Sequence, residues 1–91
     1  MRHYVILCET MNRADQLYKR AIKVLGPVMR YMMKHPMLTI ETKDDVRLYF
    51  TCDHHWFDRG GRLGRLDWVI LSEWYFERML DKWDEVKRND D

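Results

Sequence analysis

The chain has 91 residues, with 16 lysines and arginines against 15 aspartates and glutamates and a formal net charge of +1. This length allows one domain and no second core, so we treat residues 1–91 as a single unit with a frayed tail at 88–91. Two cysteines are too few for a disulfide framework, and no apolar run approaches the roughly 18 residues of a membrane helix, so we expect a cytoplasmic protein with no membrane partner.

Charge is unevenly distributed along the chain. Residues 11–36 hold six lysines and arginines against one aspartate, whereas residues 73–91 hold seven acidic residues against four basic ones. A basic first helix and an acidic end are consistent with an anionic partner on one side. Two ordinary solvated helix faces would give the same counts.

The first predicted strand is His3 to Glu9, a short apolar run typical of a strand buried on both faces. Thr10 or Asn12 can cap the helix that follows, because a side-chain oxygen there can accept from a free backbone N–H. Gly26-Pro27 ends or kinks this helix, and helical spacing then resumes from Val28 through the methionines to His35-Pro36. The apolar stripe of the first helix comprises Ala14, Leu17, Tyr18, Ala21, Ile22 and Leu25.

Two further strands are predicted at Leu38 to Thr42 and Val46 to Cys52, joined by a turn, the second with the alternation of a half-buried strand. The segment 53–65 contains three of the four glycines and is predicted to be mostly loop. Leu66 to Leu71 reads as another buried strand, and Ser72 can cap a last helix. That helix is predicted to pack one face on the sheet, with Phe76, Met79, Leu80, Trp83 and either Val86 or Lys87.

The order β-α-β-β-β-α predicts a small α/β domain with a Rossmann-like mixed sheet and helices packed on it. A strand that returns through a long helix favours a right-handed crossover, and hence a mainly parallel core with one antiparallel member. We expect the first, third and fourth predicted strands to run side by side in the same direction.

Polar side chains follow the predicted strand ends, where ligands gather in open α/β sheets. Glu9, Asp53, His54 and Glu73 could therefore share one rim and hold a divalent metal or act as general acid and base. Helix caps and solvated turn residues would give the same pattern, so we expect no cofactor, with a divalent metal as the alternative. A structural zinc site is excluded, because Cys52 to His55 has no second ligand pair in the chain.

The most distinctive segment is the loop Arg59 to Arg65. Its glycines would let the backbone approach an anion, Arg59, Arg62 and Arg65 could bind phosphate oxygens, and Trp56 could stack on bases. Alternatively, this is a surface loop whose arginines pair with Asp58, with Asp67 or with the acidic last helix. Lys19 and Lys23 of the basic helix complete the predicted nucleic-acid or phosphate-binding residues.

Trp74 lies off the apolar face of the last helix. An exposed indole at a helix start can mark a partner surface, since Trp is enriched in binding hot spots. The alternative is that Trp74 folds back onto Trp68 or the loop. The methionines Met29, Met32, Met33 and Met37 form an adaptable apolar patch that is more often core filler than a binding groove.

Two long runs resemble the core of P-loop helicases and phage terminase large subunits. The run VILCETMNRADQLYKRAIKVL (5–25) resembles the strand and helix after their nucleotide loop, and the run from 46 to 80 resembles the stretch into their Walker B strand. The Walker A loop is absent, and Ser72 stands where the magnesium-associated aspartate would be, although Glu73 matches the glutamate that activates water. The resemblance implies a trimmed, phage-encoded remnant in the host cytoplasm that does not hydrolyse ATP.

These observations predict a non-enzymatic module that contacts nucleic acid, or a protein that handles nucleic acid, through the basic helix and the arginine-glycine loop. One alternative is a metal-dependent phosphodiesterase or nucleotide-binding enzyme that uses Glu9, Asp53, His54 and Glu73. Another is a homodimeric structural or inhibitory protein that uses Trp74 and the methionine patch as its interface.

Overall fold

The computed structural model describes residues 2–34, 37–52 and 68–89. In these ranges the chain forms a five-stranded sheet and two α-helices. The elements in chain order are β1 (Arg2–Cys8), α1 (Met11–Leu25), β2 (Met29–Met33), β3 (Leu38–Thr42), β4 (Val46–Cys52), β5 (Trp68–Ser72) and α2 (Glu73–Asn89).

The sheet is mixed, with strand order β2-β3-β4-β1-β5. The central strand β1 pairs in parallel with β4 on one side and with β5 on the other. β3 runs antiparallel to both β4 and β2, so it alone points the opposite way. The α/β class, the mixed sheet and the side-by-side placement of the first, third and fourth predicted strands are therefore confirmed.

The main core lies between the sheet and the two helices, which contact each other on the same face. Phe50 of β4 is fully buried at its centre. Its ring meets Tyr18 of α1 and Phe76 of α2 edge-on, at centroid distances of 5.7 and 5.3 Å. Edge-to-face packing suits aromatic quadrupoles, so one strand residue joins both helices to the sheet.

Both predicted helix caps are present. The Thr10 hydroxyl accepts from the Arg13 N–H at 3.2 Å, and the Ser72 hydroxyl accepts from the Tyr75 N–H at 3.1 Å. Each therefore satisfies a backbone donor that has no partner within its own helix. After α1 the chain makes a single 3-10 turn at Gly26–Val28, where the helix was predicted to end or kink.

The helical stretch predicted after Gly26-Pro27 is wrong. Met29–Met33 is instead an edge strand, β2, which pairs antiparallel with β3. Methionine is a good helix former, but tertiary context readily overrides propensity, and here the backbone groups are satisfied by the neighbouring edge of β3. Met29 still packs against the core, as its apolar character indicates.

The last strand is also less buried than predicted. Val69 is 47% exposed and Ile70 is 54% exposed, whereas Val5 in the adjacent strand β1 is fully buried. β5 has β1 on one side and, within the described ranges, no strand on the other. A continuous apolar run is typical of a central strand, but here it lies at an edge of the sheet.

Candidate functional site

The carboxyl ends of β1, β4 and β5 meet at one rim, as predicted. Cys8 of β1 lies opposite Cys52 of β4, and Leu7 of β1 lies opposite Ser72 of β5. Glu9 and Glu73 therefore follow neighbouring strand ends. The backbone N–H of Glu9 donates a hydrogen bond to the side-chain oxygen Oε1 of Glu73 at 2.8 Å.

The second oxygen of Glu73 binds α1. Arg13 donates through Nε to Glu73 Oε2 at 2.9 Å and through Nη2 to Glu77 Oε2 at 2.8 Å. The hydrogen bond to Glu73 raises the pKa of the Arg13 guanidinium, so this cation stays charged. Because both oxygens of Glu73 are engaged, this carboxylate ties the start of α2 to the end of β1 and to α1.

The remaining members of the predicted catalytic or metal site, Asp53 and His54, lie outside the described residues. Within residues 2–34, 37–52 and 68–89 no group of three His, Cys, Asp or Glu side chains is placed to hold a metal ion. The Glu9 side chain is exposed. The metal-dependent interpretation thus depends on residues that the structure leaves undescribed, and it stays a prediction.

The basic charge of α1 is largely matched by acidic partners. Lys19 pairs with Asp15 of the same helix at 3.0 Å, and Arg20 pairs with Asp81 of α2. With Arg13 these contacts show that α1 and α2 lie side by side with opposite charges facing each other. This contact between the two helices accounts for part of the uneven charge, and neither interpretation offered by the sequence included it.

Of the other residues predicted to bind nucleic acid, Lys23 lies in the described part of the chain. Lys23 is exposed in the last turn of α1. Arg59, Arg62, Arg65 and Trp56 lie outside the described residues, so phosphate or base contact by the arginine-glycine loop stays a prediction.

Trp74 projects from the first turn of α2 and is 63% exposed. The guanidinium of Arg78, one helical turn on, lies over its ring at 4.9 Å from the centroid. At an exposed position this cation–π contact contributes about 0.5–1 kcal/mol. It holds the indole on the outer surface of α2, and its role in an interface stays a prediction.

An open apolar groove of about 970 Å³ lies on the helix face of the sheet and reaches from β5 across to the end of α1 and the turn that follows it. It runs between the helix face of the sheet and α2, and its apolar lining includes Tyr4, Leu48, Val69, Leu71, Met79 and Trp83. Tyr75 and Val86 of α2 also line it and are 52% and 59% exposed. We call β5 together with the side of α2 that bears Tyr75, Met79 and Val86 the β5 flank.

The opposite face of the sheet carries a polar network at the β2 end. Glu41 of β3 accepts from Arg30 at 2.8 Å and from Arg47 at 3.1 Å. Arg47 also donates to the Tyr49 hydroxyl at 3.4 Å, and that hydroxyl lies 3.2 Å from His3 Nδ1. The hydrogen bonds from Arg30 and then Arg47 lower the pKa of the Glu41 carboxyl below its ordinary value.

Comparison with protein-family models, with curated proteins and with solved structures finds no match for this chain. Neither of the two described helices has both the length and the apolar character needed to span a bilayer.

The β5 flank is the feature that reasoning from the sequence missed. Met79, together with Val86 or Lys87, was assigned to the same buried face as Phe76 and Leu80, but among the described side chains of α2 only Phe76 and Leu80 are fully buried. Tyr75, Met79, Lys82 and Val86 follow the alternating spacing of four and three residues that marks a second helix side. That spacing was visible in the sequence.

Proposed function

We propose that this chain is a non-enzymatic interaction protein that accepts a β-strand from a partner protein along the outer edge of β5. The observation that carries the proposal is the half-exposed, uncharged edge strand beside an open apolar groove. An edge strand presents unpaired backbone N–H and C=O groups that can pair with another chain. Main-chain hydrogen bonds then supply affinity, and adjacent pockets supply specificity.

The composition of β5 supports this assignment. Trp68–Ser72 reads WVILS, with no charged residue and no proline to discourage pairing. Three of its five residues, Trp68, Val69 and Ile70, are of the β-branched and aromatic kinds that suit strands. A partner strand would extend the sheet, and its side chains on the helix face would enter the groove beside Val69 and Met79.

The strand-end rim supports an interaction protein less directly. Glu73 is occupied by the Arg13 guanidinium and the Glu9 N–H, which is the arrangement of a structural link. Contact with nucleic acid through Arg59, Arg62 and Arg65 is a separate prediction, and it does not depend on the β5 flank.

A labelled peptide tests whether β5 accepts a strand. The probe carries the sequence of β5 between solubilising lysines, and fluorescence anisotropy measures its binding to the intact chain. We expect binding that Ile70→Lys in the protein weakens by at least about tenfold, the loss of about 1.4 kcal/mol or more of binding free energy.

Two controls make the result specific. A second peptide with proline in place of its central isoleucine cannot donate at that position and should not bind. Met32→Lys in the protein changes a side chain of similar exposure, 53%, on the opposite edge strand and should leave binding unchanged. Equal binding of both peptides, or equal loss in both protein variants, contradicts a strand-accepting edge.

A further inference from the structure

Within the described residues, the β5 flank presents two layers in the same direction with no strand or helix of the chain beside them. In the sheet layer it offers the outer edge of β5, and in the helix layer it offers Tyr75, Met79 and Val86 above that edge. A single peptide strand could pair with β5 but would leave this side of α2 exposed. The matching partner therefore supplies an edge strand with a helix packed on the same face of its sheet.

The chain itself contains such a unit, because α2 follows β5 directly and packs on it. We propose that the partner strand belongs to a second copy of this chain, which makes a twofold-symmetric dimer with a continuous ten-stranded sheet. This inference rests on the strand-accepting function proposed above. The twofold axis passes beside β5, perpendicular to the sheet, so that β5 pairs antiparallel with its copy and α2 lies antiparallel to its copy.

The charges on α2 are placed to permit this contact. Glu73, Glu77 and Asp81 face α1, where they bind Arg13 and Arg20. On the side above β5, helical spacing places Lys82, with Arg78 at the margin, where its guanidinium lies over the Trp74 ring. Two copies can therefore meet there without bringing carboxylates together.

The antiparallel arrangement also separates the two lysines. It sets the first half of α2 against the second half of the copy, so Tyr75 approaches Val86 and Met79 approaches Lys82 of the second copy. The long apolar stem of lysine can cover a methionine while its ammonium reaches water. The surface is thus self-complementary, as an interface between identical copies requires.

The size of the flank is sufficient for a dimer. α2 has 17 residues and is about 25 Å long, and the sheet and helix layers together are about 20 Å thick. The flank thus covers roughly 500 Å² in flat projection, which is the order of the roughly 800 Å² of accessible surface that each partner buries in a standard interface.

Sedimentation velocity over a range of concentrations tests the inference. We expect the wild-type chain to be a dimer that dissociates on dilution. Ile70→Lys and Tyr75→Glu should each raise the dimer dissociation constant by at least about tenfold, because each places a charge in the buried seam. Hydrogen exchange should show that the amides of 68–72 gain protection as concentration rises.

Met32→Lys on the β2 edge is the matched control and should leave the dimer intact. Circular dichroism reports whether each variant folds, and Tyr75→Glu decides the question if Ile70→Lys does not fold. A chain that is monomeric at every concentration, or a dimer insensitive to both flank variants, overturns the inference. If the monomeric chain still binds the β5 peptide, the strand-accepting function stands and only the second copy is wrong.

Discussion

The edge strand β2 carries a bulge between Met29 and Tyr31 and the charged side chain of Arg30, whereas the edge strand β5 has an unbroken register and no charge. Bulges and charges are the devices by which natural sheets prevent their edges from pairing. Arg30 is further held by Glu41 and by Asp45, each at 2.8 Å. Within the described ranges, the chain therefore protects one edge and leaves the other open.

The difference is not one of apolar content. Tyr31 and Met32 on β2 are about as exposed as Val69 and Ile70 on β5. The two edge strands differ in register and in charge: β2 has a bulge and the charged Arg30, whereas β5 has neither. These features decide whether a second strand can pair. An exposed apolar side chain is ordinary in a small protein, so our proposal rests on the unprotected edge beside an apolar groove and not on exposure alone.

The largest effect on stability should come from a substitution in the core below α2. Phe76 is fully buried against Phe50 and holds α2 on the sheet. Phe76→Ala should lower the free energy of unfolding by about 3–5 kcal/mol, because it leaves a cavity under the groove. Urea denaturation followed by tryptophan fluorescence measures the loss.

Met32→Ala on the protected edge is the matched comparison. Its side chain is 53% exposed, so we expect a change of less than about 1 kcal/mol. A loss at Met32 as large as that at Phe76 would contradict the assignment of the core to the α2 side of the sheet.

Much of this architecture was predictable from local patterns. The alternation of Leu48 and Phe50 predicted β4. Side-chain chemistry predicted Ser72 as one cap and narrowed the other to Thr10 or Asn12, of which the structure shows Thr10. The edge position of β5 was not predictable, because an apolar run does not say which strands flank it. The formation of β2 was not predictable either, because this segment is a strand through its pairing with β3 and not through its own propensity.

The candidate site was predictable only in part. Parallel strand ends brought Glu9 and Glu73 to one rim, as the topology required. That Arg13 would occupy Glu73 could not be foreseen, because the contact joins residues 60 positions apart and depends on how the two helices pack.

A smaller effect on stability is expected at Glu73, the first residue of α2. Glu73→Gln keeps the shape of the side chain but removes the charge that binds Arg13 and the Glu9 N–H. We expect the free energy of unfolding to fall by about 1 kcal/mol, since these bonds are only partly shielded from water. The measurement is urea denaturation with and without magnesium.

The exposed residue Glu85 of the same helix provides the control. Glu85→Gln removes the same charge and should change stability by less than about 0.5 kcal/mol. If magnesium stabilises the wild-type chain and Glu73→Gln abolishes that stabilisation, Glu73 is a metal ligand and its role as a structural link is wrong.

A further effect on stability is expected at the protected edge, and it should depend on pH. Arg30 and Arg47 lower the pKa of Glu41, so the ionised carboxylate favours the folded state. That contribution is present above the pKa of Glu41 in the unfolded chain and is lost as pH falls through its lower pKa in the folded chain. The unfolding temperatures of the wild type and of Glu41→Gln should therefore differ at about pH 7 and converge towards about pH 3.

Asp45→Asn provides the control, because it changes an exposed carboxylate that also binds Arg30. Its unfolding temperature should differ less from that of the wild type at neutral pH. If the difference in unfolding temperature between the wild type and Glu41→Gln instead grows as the pH falls, the ionised carboxylate does not stabilise the fold. The bulge alone would then protect the β2 edge.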